Sequence, residues 1–511
     1  MSASREKKKR FEERSDGTEK RQVRAKDDYK SRKRKKLIGT IAAIVVVVLL
    51  VVAVVFNSNL FYTGVTAVKT GDTKYTTADF NYEYYNGYYN TYQNLYNTYG
   101  AEFVSYFLNP QTPLDEQNYS ETQTWDDLFE EEALTQLQQM AILNDKAKAE
   151  GWSLSAEQKA EIDAEIDRVK TDAVSNGYSD YRAYLRSMFG RGITEDRLRS
   201  LLESSFNATY YSQYLADKWM NSYTEEELSD YYDGKRDEYD LVSYMAYFVD
   251  GSVPADSELD ADTALQQAKD IATEIATAGD QATFAEVVYQ NVSEEQKATY
   301  ADEDACLNRL VPPTGITNET WKDWLMDSQR QSGDTNIFAG ENGYYVLMYL
   351  ERNGNEYKTV NFRGISIPVE ADPDSGEVTE ATRSAAETTV DMILEAYNEE
   401  PTEEKFAELA DTYNVTSDGN LYGGLNENYV MGQIASKEIE DYLFDEATPA
   451  GEVKSFYYEG TYYVIYTMER GEQYNLLLAK NLKASDQYKS TIESAKADYP
   501  IEKKFAFRFA K

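Results

Sequence analysis

The residues of this 511-residue chain that could do chemistry are defined first by what is missing: it has no histidine and a single cysteine, Cys306. That removes the commonest general base, the Ser-His and Cys-His nucleophile pairs, the usual zinc site and any intramolecular disulfide. Phenol is abundant instead, and tyrosine offers apolar area with a hydrogen-bonding tip. Two tyrosines, Tyr345 and Tyr463, sit in near-identical stretches: GYYVLMYLERNGNEY from Gly343 to Tyr357 and TYYVIYTMERGEQY from Thr461 to Tyr474. They are 118 residues apart, a domain-sized period rather than the roughly 20 to 50 residues of a solenoid.

Other chemical patterns fall away on spacing. EADPDSGE (Glu370 to Glu377) suggests a calcium loop, but Gly376 comes one place early after Asp372, and Arg383 stands where the coordinating glutamate belongs. Gly419, Gly423 and Gly424 do not follow a strand and open a helix in the dinucleotide pattern. No metal and no cofactor is expected. Five Asn-x-Ser/Thr sequons (Asn118, Asn207, Asn291, Asn318, Asn414) matter only in a glycosylating host.

The elements that must position the tyrosines repeat at the same distance. DEYDLVSYMAYFV (Asp237 to Val249), NEYKTVNFRGISI (Asn355 to Ile367) and EQYNLLLAKNL (Glu472 to Leu482) each set a tyrosine before an apolar run that reads as a strand. Two similar units are therefore expected, over 238–356 and 357–474. Each reads as an opening strand, a helix (Asp262 to Ala278; Glu380 to Glu399), a second helix at FAEVVYQ or FAELADTY, an irregular stretch, a third helical piece and a closing strand. The near-continuous apolar character of the interior strands suits a sheet covered by helices. Residues 475–511 should form a last strand and a helical tail.

Upstream, residues 67–237 read as an all-helical domain entered through a short strand pair. Thr76 and Asp79 make a capping-box pair at the first helix, and further helices are expected over Trp125 to Glu150, Ser155 to Ser175, Tyr178 to Met188, Thr194 to Tyr223 and Thr224 to Arg236. Tyr82, Tyr85, Tyr89, Tyr92, Tyr96 and Tyr99 recur at spacings of three and four, which aligns six rings along one side of the first helix. Packing against neighbouring helices is the favoured reading of this stripe, and an adaptable cradle for unfolded segments is the alternative, with Tyr85, Tyr89 and Tyr92 as its peptide-binding candidates.

Charge divides the chain. Met1 to Lys36 carries 16 Lys/Arg against 7 Asp/Glu, whereas the remainder carries 36 against 83. Between them Leu37 to Phe56 is a run of twenty uncharged residues, long enough for one membrane crossing and longer than a typical signal-peptide core. SRKRKK (Ser31 to Lys36) abuts it, so the expectation is a single-pass cell-membrane protein with a cytoplasmic basic tail (1–36), a transmembrane helix (37–56) and an extracytoplasmic body. The acidic body argues against nucleic acid as a partner.

Several of these stretches, in order, resemble the SurA/PrsA-type extracytoplasmic foldases. ALTQLQQMAILNDKAKAEGWSLSAEQKAEID (Ala133 to Asp163) is similar to the long helix, break and helix start of the family's chaperone domain. YTEEELSDYYDGKRDEYD (Tyr223 to Asp240) looks like the segment leading into its isomerase unit. FAELADTY, DGNLYGGL (Asp418 to Leu425) and IEDYLFDEATPAGEVKSFYYEGTYYVIY (Ile439 to Tyr466) follow the parvulin order, and the first unit follows it loosely. The resemblance implies an α+β multidomain protein with one transmembrane helix, a SurA N-terminal-like all-helical chaperone domain and two tandem parvulin-like α/β domains.

The departures bear on activity. The resemblance places a histidine in each opening and closing strand; here Tyr345 and Tyr463 hold the closing-strand positions, Gly364 the opening-strand position of the second unit, and Tyr244 or Ala246 that of the first. No catalytic residue is therefore assigned. Met431, Ile439 and Phe444 match the family's proline pocket, with core filling as their favoured role and peptide binding as the other, and Tyr463 joins them as a peptide-binding candidate. PrsA-type proteins are commonly lipoproteins, but no cysteine follows the apolar run, so a helix is expected in place of the lipid. The expected function is a membrane-anchored chaperone for unfolded or nascent secreted polypeptides, with weak or absent turnover. An active parvulin-type prolyl isomerase is the alternative, and a structural or adhesive surface protein the second.

Overall fold

A computed structural model describes residues 4–10, 33, 36, 40–51, 54–55, 58–253, 259–372, 376–414 and 422–511. The described chain divides into two compact units, 1–218 with 486–511, and 219–485.

In the first unit, β1 (Thr66–Thr70) and β2 (Thr73–Thr76) form an antiparallel hairpin, and long helices follow over Thr77–Tyr99, Trp125–Glu150, Ala156–Ser175, Tyr181–Phe189 and Glu195–Met220. Their ends follow local chemistry. Thr76 with Asp79 and Thr124 with Asp127 close capping boxes, and Gly151 ends a helix with φ +70°. Ile162, Ile166, Leu185, Leu198 and Leu201 pack with Tyr82 and Phe189 as one apolar core. Asp79, fully buried, is neutralised by Arg197.

The second unit carries two four-stranded sheets. The first contains β3 (Leu241–Asp250), β4 (Leu307–Val311), β5 (Thr335–Ala339) and β6 (Gly343–Asn353) in the order β4-β3-β6-β5. The other contains β7 (Val360–Pro368), β8 (Leu425–Tyr429), β9 (Val453–Tyr458) and β10 (Thr461–Thr467) in the order β8-β7-β10-β9. Helices Ala261–Ile275 and Gln281–Asn291 cover one face of the first sheet, and Glu380–Glu399 and Glu403–Tyr413 one face of the second. On the opposite faces lie the short helices Glu319–Leu325 and Lys437–Phe444.

An offset of 118 residues relates the two sheets in detail. The Ala246 N–H donates to Cys306 O at 2.9 Å, and the Gly364 N–H to Gly424 O at 2.8 Å. Gly333 bonds Tyr349 O and Gly451 bonds Thr467 O. One pair of left-handed residues also corresponds, Leu310 at φ +50° and Asn428 at φ +55°. Between Tyr244 and Ala246 the register therefore selects Ala246 as the counterpart of Gly364.

Three expectations need correction. The transmembrane helix over 37–56 is not found: residues 37–39, 52–53 and 56 lie outside the described residues, and among the described residues no helix is long and apolar enough to cross a membrane. The strand expected over Glu472–Leu482 is instead the start of the helix Tyr474–Lys496. A short apolar run does not distinguish a strand from a buried helix segment. The tail beyond is only partly helical: β11 (Ile501–Lys503) pairs antiparallel with β1, giving the order β11-β1-β2.

Candidate functional site

A cavity of about 440 Å³ opens on the face of the β8-β7-β10-β9 sheet away from its two long helices. That volume lies within the usual range for small-ligand sites, roughly 300 to 1,000 Å³. Alternate residues of β7 form its floor, Phe362, Gly364 and Ser366, together with Tyr463 and Ile465 of β10. These five share a face because side chains alternate along a strand, and the register sets Ser366 opposite Tyr463 and Gly364 opposite Ile465. Ile439 forms one wall and Tyr422 with Leu425 and Tyr429 another.

The walls are held by specific hydrogen bonds. Ser436 caps the helix Lys437–Phe444, accepting the Ile439 N–H at 3.4 Å, and so fixes where Ile439 enters. Asn414 clips onto β7 from the side: its Nδ2 donates to Gly364 O at 2.8 Å and its Oδ1 accepts the Ser366 N–H at 3.1 Å. Gly424 must be glycine. Its φ is +64°, and a Cβ there would stand 2.3 Å from Gly364 O. Asp411 accepts the Gly423 N–H at 2.6 Å, and Arg363 donates to Gly423 O at 2.9 Å while pairing with Glu403. Asn414, Asp411 and Arg363 carry no motif, and the sequence offers Asn414 only as a sequon.

Chemically the lining combines apolar area with phenol and amide groups. Tyr458 at the rim has its pKa raised, first by its hydrogen bond with Glu459, so it stays a protonated donor at neutral pH. The arrangement suits holding an apolar side chain of an extended peptide beside hydrogen-bonding groups. Among the described residues no cluster of His, Cys, Asp and Glu could hold a metal ion.

Of the residues singled out from sequence, Gly364, Ile439 and Tyr463 come together in this cavity. Met431 and Phe444 are outside its lining and meet Tyr357 instead: the Met431 N–H donates to the Tyr357 hydroxyl at 3.1 Å, and the Phe444 ring stands edge-on to Tyr357 at 5.5 Å. Tyr345 belongs to the other sheet, where Phe248 (4.5 Å) and Trp321 (4.8 Å) pack against its ring. Tyr85, Tyr89 and Tyr92 lie half-buried along the helix Thr77–Tyr99 of the first unit. Tyr85 stacks on Tyr89, whose hydroxyl donates to Met188 O at 3.2 Å, and farther along Tyr96 and Tyr99 are exposed.

No protein-family model matches the chain, and no curated protein matches it in sequence. Among solved structures it is similar to a PrsA peptidylprolyl isomerase from Bacillus anthracis, at 13% identity over 51% of this chain and 88% of that one, with a TM-score of 0.18. PrsA from Bacillus subtilis gives 12% identity over 64% and 98%, with a TM-score of 0.17. Foldase protein PrsA from Streptococcus pneumoniae gives 13% over 58% and 93%, also at 0.17. The likeness is to PrsA-type foldases.

Proposed function

We propose that the chain is a foldase-like chaperone that binds unfolded polypeptides and uses the cavity of the second sheet to hold an apolar or prolyl residue of the bound segment. The observation that carries this reading is the cavity itself, an apolar floor with phenol and amide groups around it, built on a rigid sheet. Burying one such residue is worth about 1.5–3 kcal/mol, which suits low-affinity, broad recognition. An extracytoplasmic place for the acidic body and secreted chains as clients belong to the same proposal. A spanning helix forms no part of the proposal.

The test is fluorescence-anisotropy titration of the full chain with an unfolded proline-containing peptide, alongside aggregation of a reduced client protein. Ser366→Phe combined with Ile439→Trp fills the cavity with the residues that occupy the equivalent places of the first sheet, Phe248 and Trp321. Wild type is expected to bind and to suppress aggregation, and the double variant to lose most binding. Equal binding by both would reject the cavity. Prolyl isomerisation needs no nucleophile, only stabilisation of the twisted amide against a barrier of about 18–20 kcal/mol. Turnover well above the free-peptide rate would therefore move the reading to an isomerase. Failure to suppress aggregation at stoichiometric amounts would move it to a structural surface protein.

A further inference from the structure

The first sheet reaches the wall of the second sheet's cavity from β4. Arg309, on β4, donates from Nη1 to Glu440 Oε1 at 2.5 Å. Glu440 is only 1% exposed, while Arg309 is 37% exposed. The second carboxylate oxygen of Glu440 accepts the Gly432 N–H at 2.6 Å. Glu440 thus ties Arg309 of one sheet to the turn that precedes the wall residues Gln433, Ile434 and Ser436, and it follows Ile439 directly in sequence. The approach is close, for a Cβ on Gly432 would lie 4.0 Å from that of Leu310. Leu310 itself is held at φ +50°, costly for a leucine, with its N–H on Ser243 Oγ at 3.1 Å.

We infer that Arg309 is a positioning residue for the cavity: the first sheet, whose own equivalent space is filled, holds the 430–436 turn and Ile439 of the second in their binding arrangement through the Arg309–Glu440 pair. The physical basis is the cost of leaving a buried carboxylate without its cation. Without Arg309, the buried carboxylate of Glu440 is left without its cation and draws in water, and the turn whose N–H it accepts loosens. The effect stays local because the β7–β10 ladder that forms the floor does not depend on Arg309. The inference rests on the peptide-binding reading for its functional consequence and on hydrogen exchange for its structural one.

The experiment compares the full chain with Arg309→Ala and Arg309→Lys, measuring peptide affinity by anisotropy and amide exchange by mass spectrometry. Arg309→Ala is expected to weaken peptide binding about tenfold and to speed exchange over 430–436 while β7 and β10 exchange as before. Arg309→Lys, which keeps a cation beside Glu440, is expected to recover part of both. Unchanged affinity with an intact wild-type response overturns the inference, and so does uniform loosening of all strands, which marks a merely stabilising ion pair. If wild type binds no peptide, the proposed function fails on its own. Exchange over 430–436 then still decides whether Arg309 holds the turn.

Discussion

The sheets of the second unit share strand order and register, yet among the described residues their short-helix faces carry different fillings. In the β4-β3-β6-β5 sheet, Tyr345 is flanked by Phe248 and by Trp321, and Trp324 and Phe338 extend the aromatic layer. In the β8-β7-β10-β9 sheet the places of Phe248 and Trp321 belong to Ser366 and Ile439, and a cavity of about 440 Å³ is left beside Tyr463. The contrast teaches that an open space here is decided by side-chain volume at two positions rather than by topology, as expected when one scaffold carries different fillings. An aromatic core on one copy and a lined opening on the other are two fillings of one frame.

The largest expected effect comes from giving the closed sheet the residues of the open one. Trp321→Ile with Phe248→Ser removes two packed rings, and the space left should cost about 3–5 kcal/mol in urea unfolding of the full chain. A loss below about 1 kcal/mol would show that the aromatic layer is not the packing that sets the closed sheet apart. Next comes the pair of positions 306 and 424, where the two sheets hold cysteine and glycine against the same backbone bond. Gly424→Ala forces a side chain into a left-handed residue and onto Gly364 O, at a cost of about 2–3 kcal/mol, whereas Cys306→Ala should cost about 1 kcal/mol. Equal costs at both positions would mean that close backbone approach does not shape the open sheet.

Cys306 also reports on the closed sheet directly. Burial pushes its thiol up from 9.0 to about 11, so at pH 8 it holds about 100-fold less thiolate than a free thiol, and alkylation should slow by that factor. The sign for stability follows from the same shift. A thiol whose folded pKa exceeds its unfolded one contributes fully below pH 9, and that contribution is lost as pH rises toward 11. Gly424, in that place of the open sheet, carries no group that titrates. Fast labelling of the native chain at pH 8 would contradict the buried placement.

Much of the frame is readable from sequence where local chemistry decides. The helices Trp125–Glu150 and Glu380–Glu399 begin and end at the expected residues because Thr124 and Thr379 cap their starts. The site is readable in part. Gly364 and Tyr463 are reached through the resemblance, and the strand register brings both to the cavity, whereas Phe444 packs at the edge of the cluster that holds Ile439 but stays outside the cavity lining. Five residues apart on a helix they are turned about 140° from each other, and Leu443, four apart, is the residue buried with Ile439. Asn414, Asp411 and Glu440 act through single hydrogen bonds across long sequence separations, which no periodicity records. The helix Tyr474–Lys496 shows the opposite failure, since a tyrosine that shortly precedes strands at 239 and 357 opens a helix at 474.

The smallest effect tests how the two positions divide the filling. Ser366 is exposed at the cavity mouth opposite Tyr463, whereas Ile439 is buried in its wall. Ser366→Phe alone should therefore place a ring against Tyr463, as Phe248 stands against Tyr345, while leaving the space beside Ile439 open. Peptide affinity is expected to fall about tenfold, equivalent to about 1.4 kcal/mol and roughly half the burial energy of one apolar residue. A loss as complete as that of the double variant would assign the whole discrimination between the sheets to the strand position. No loss would assign it to the helix position, because Trp321 would then be what closes the first sheet.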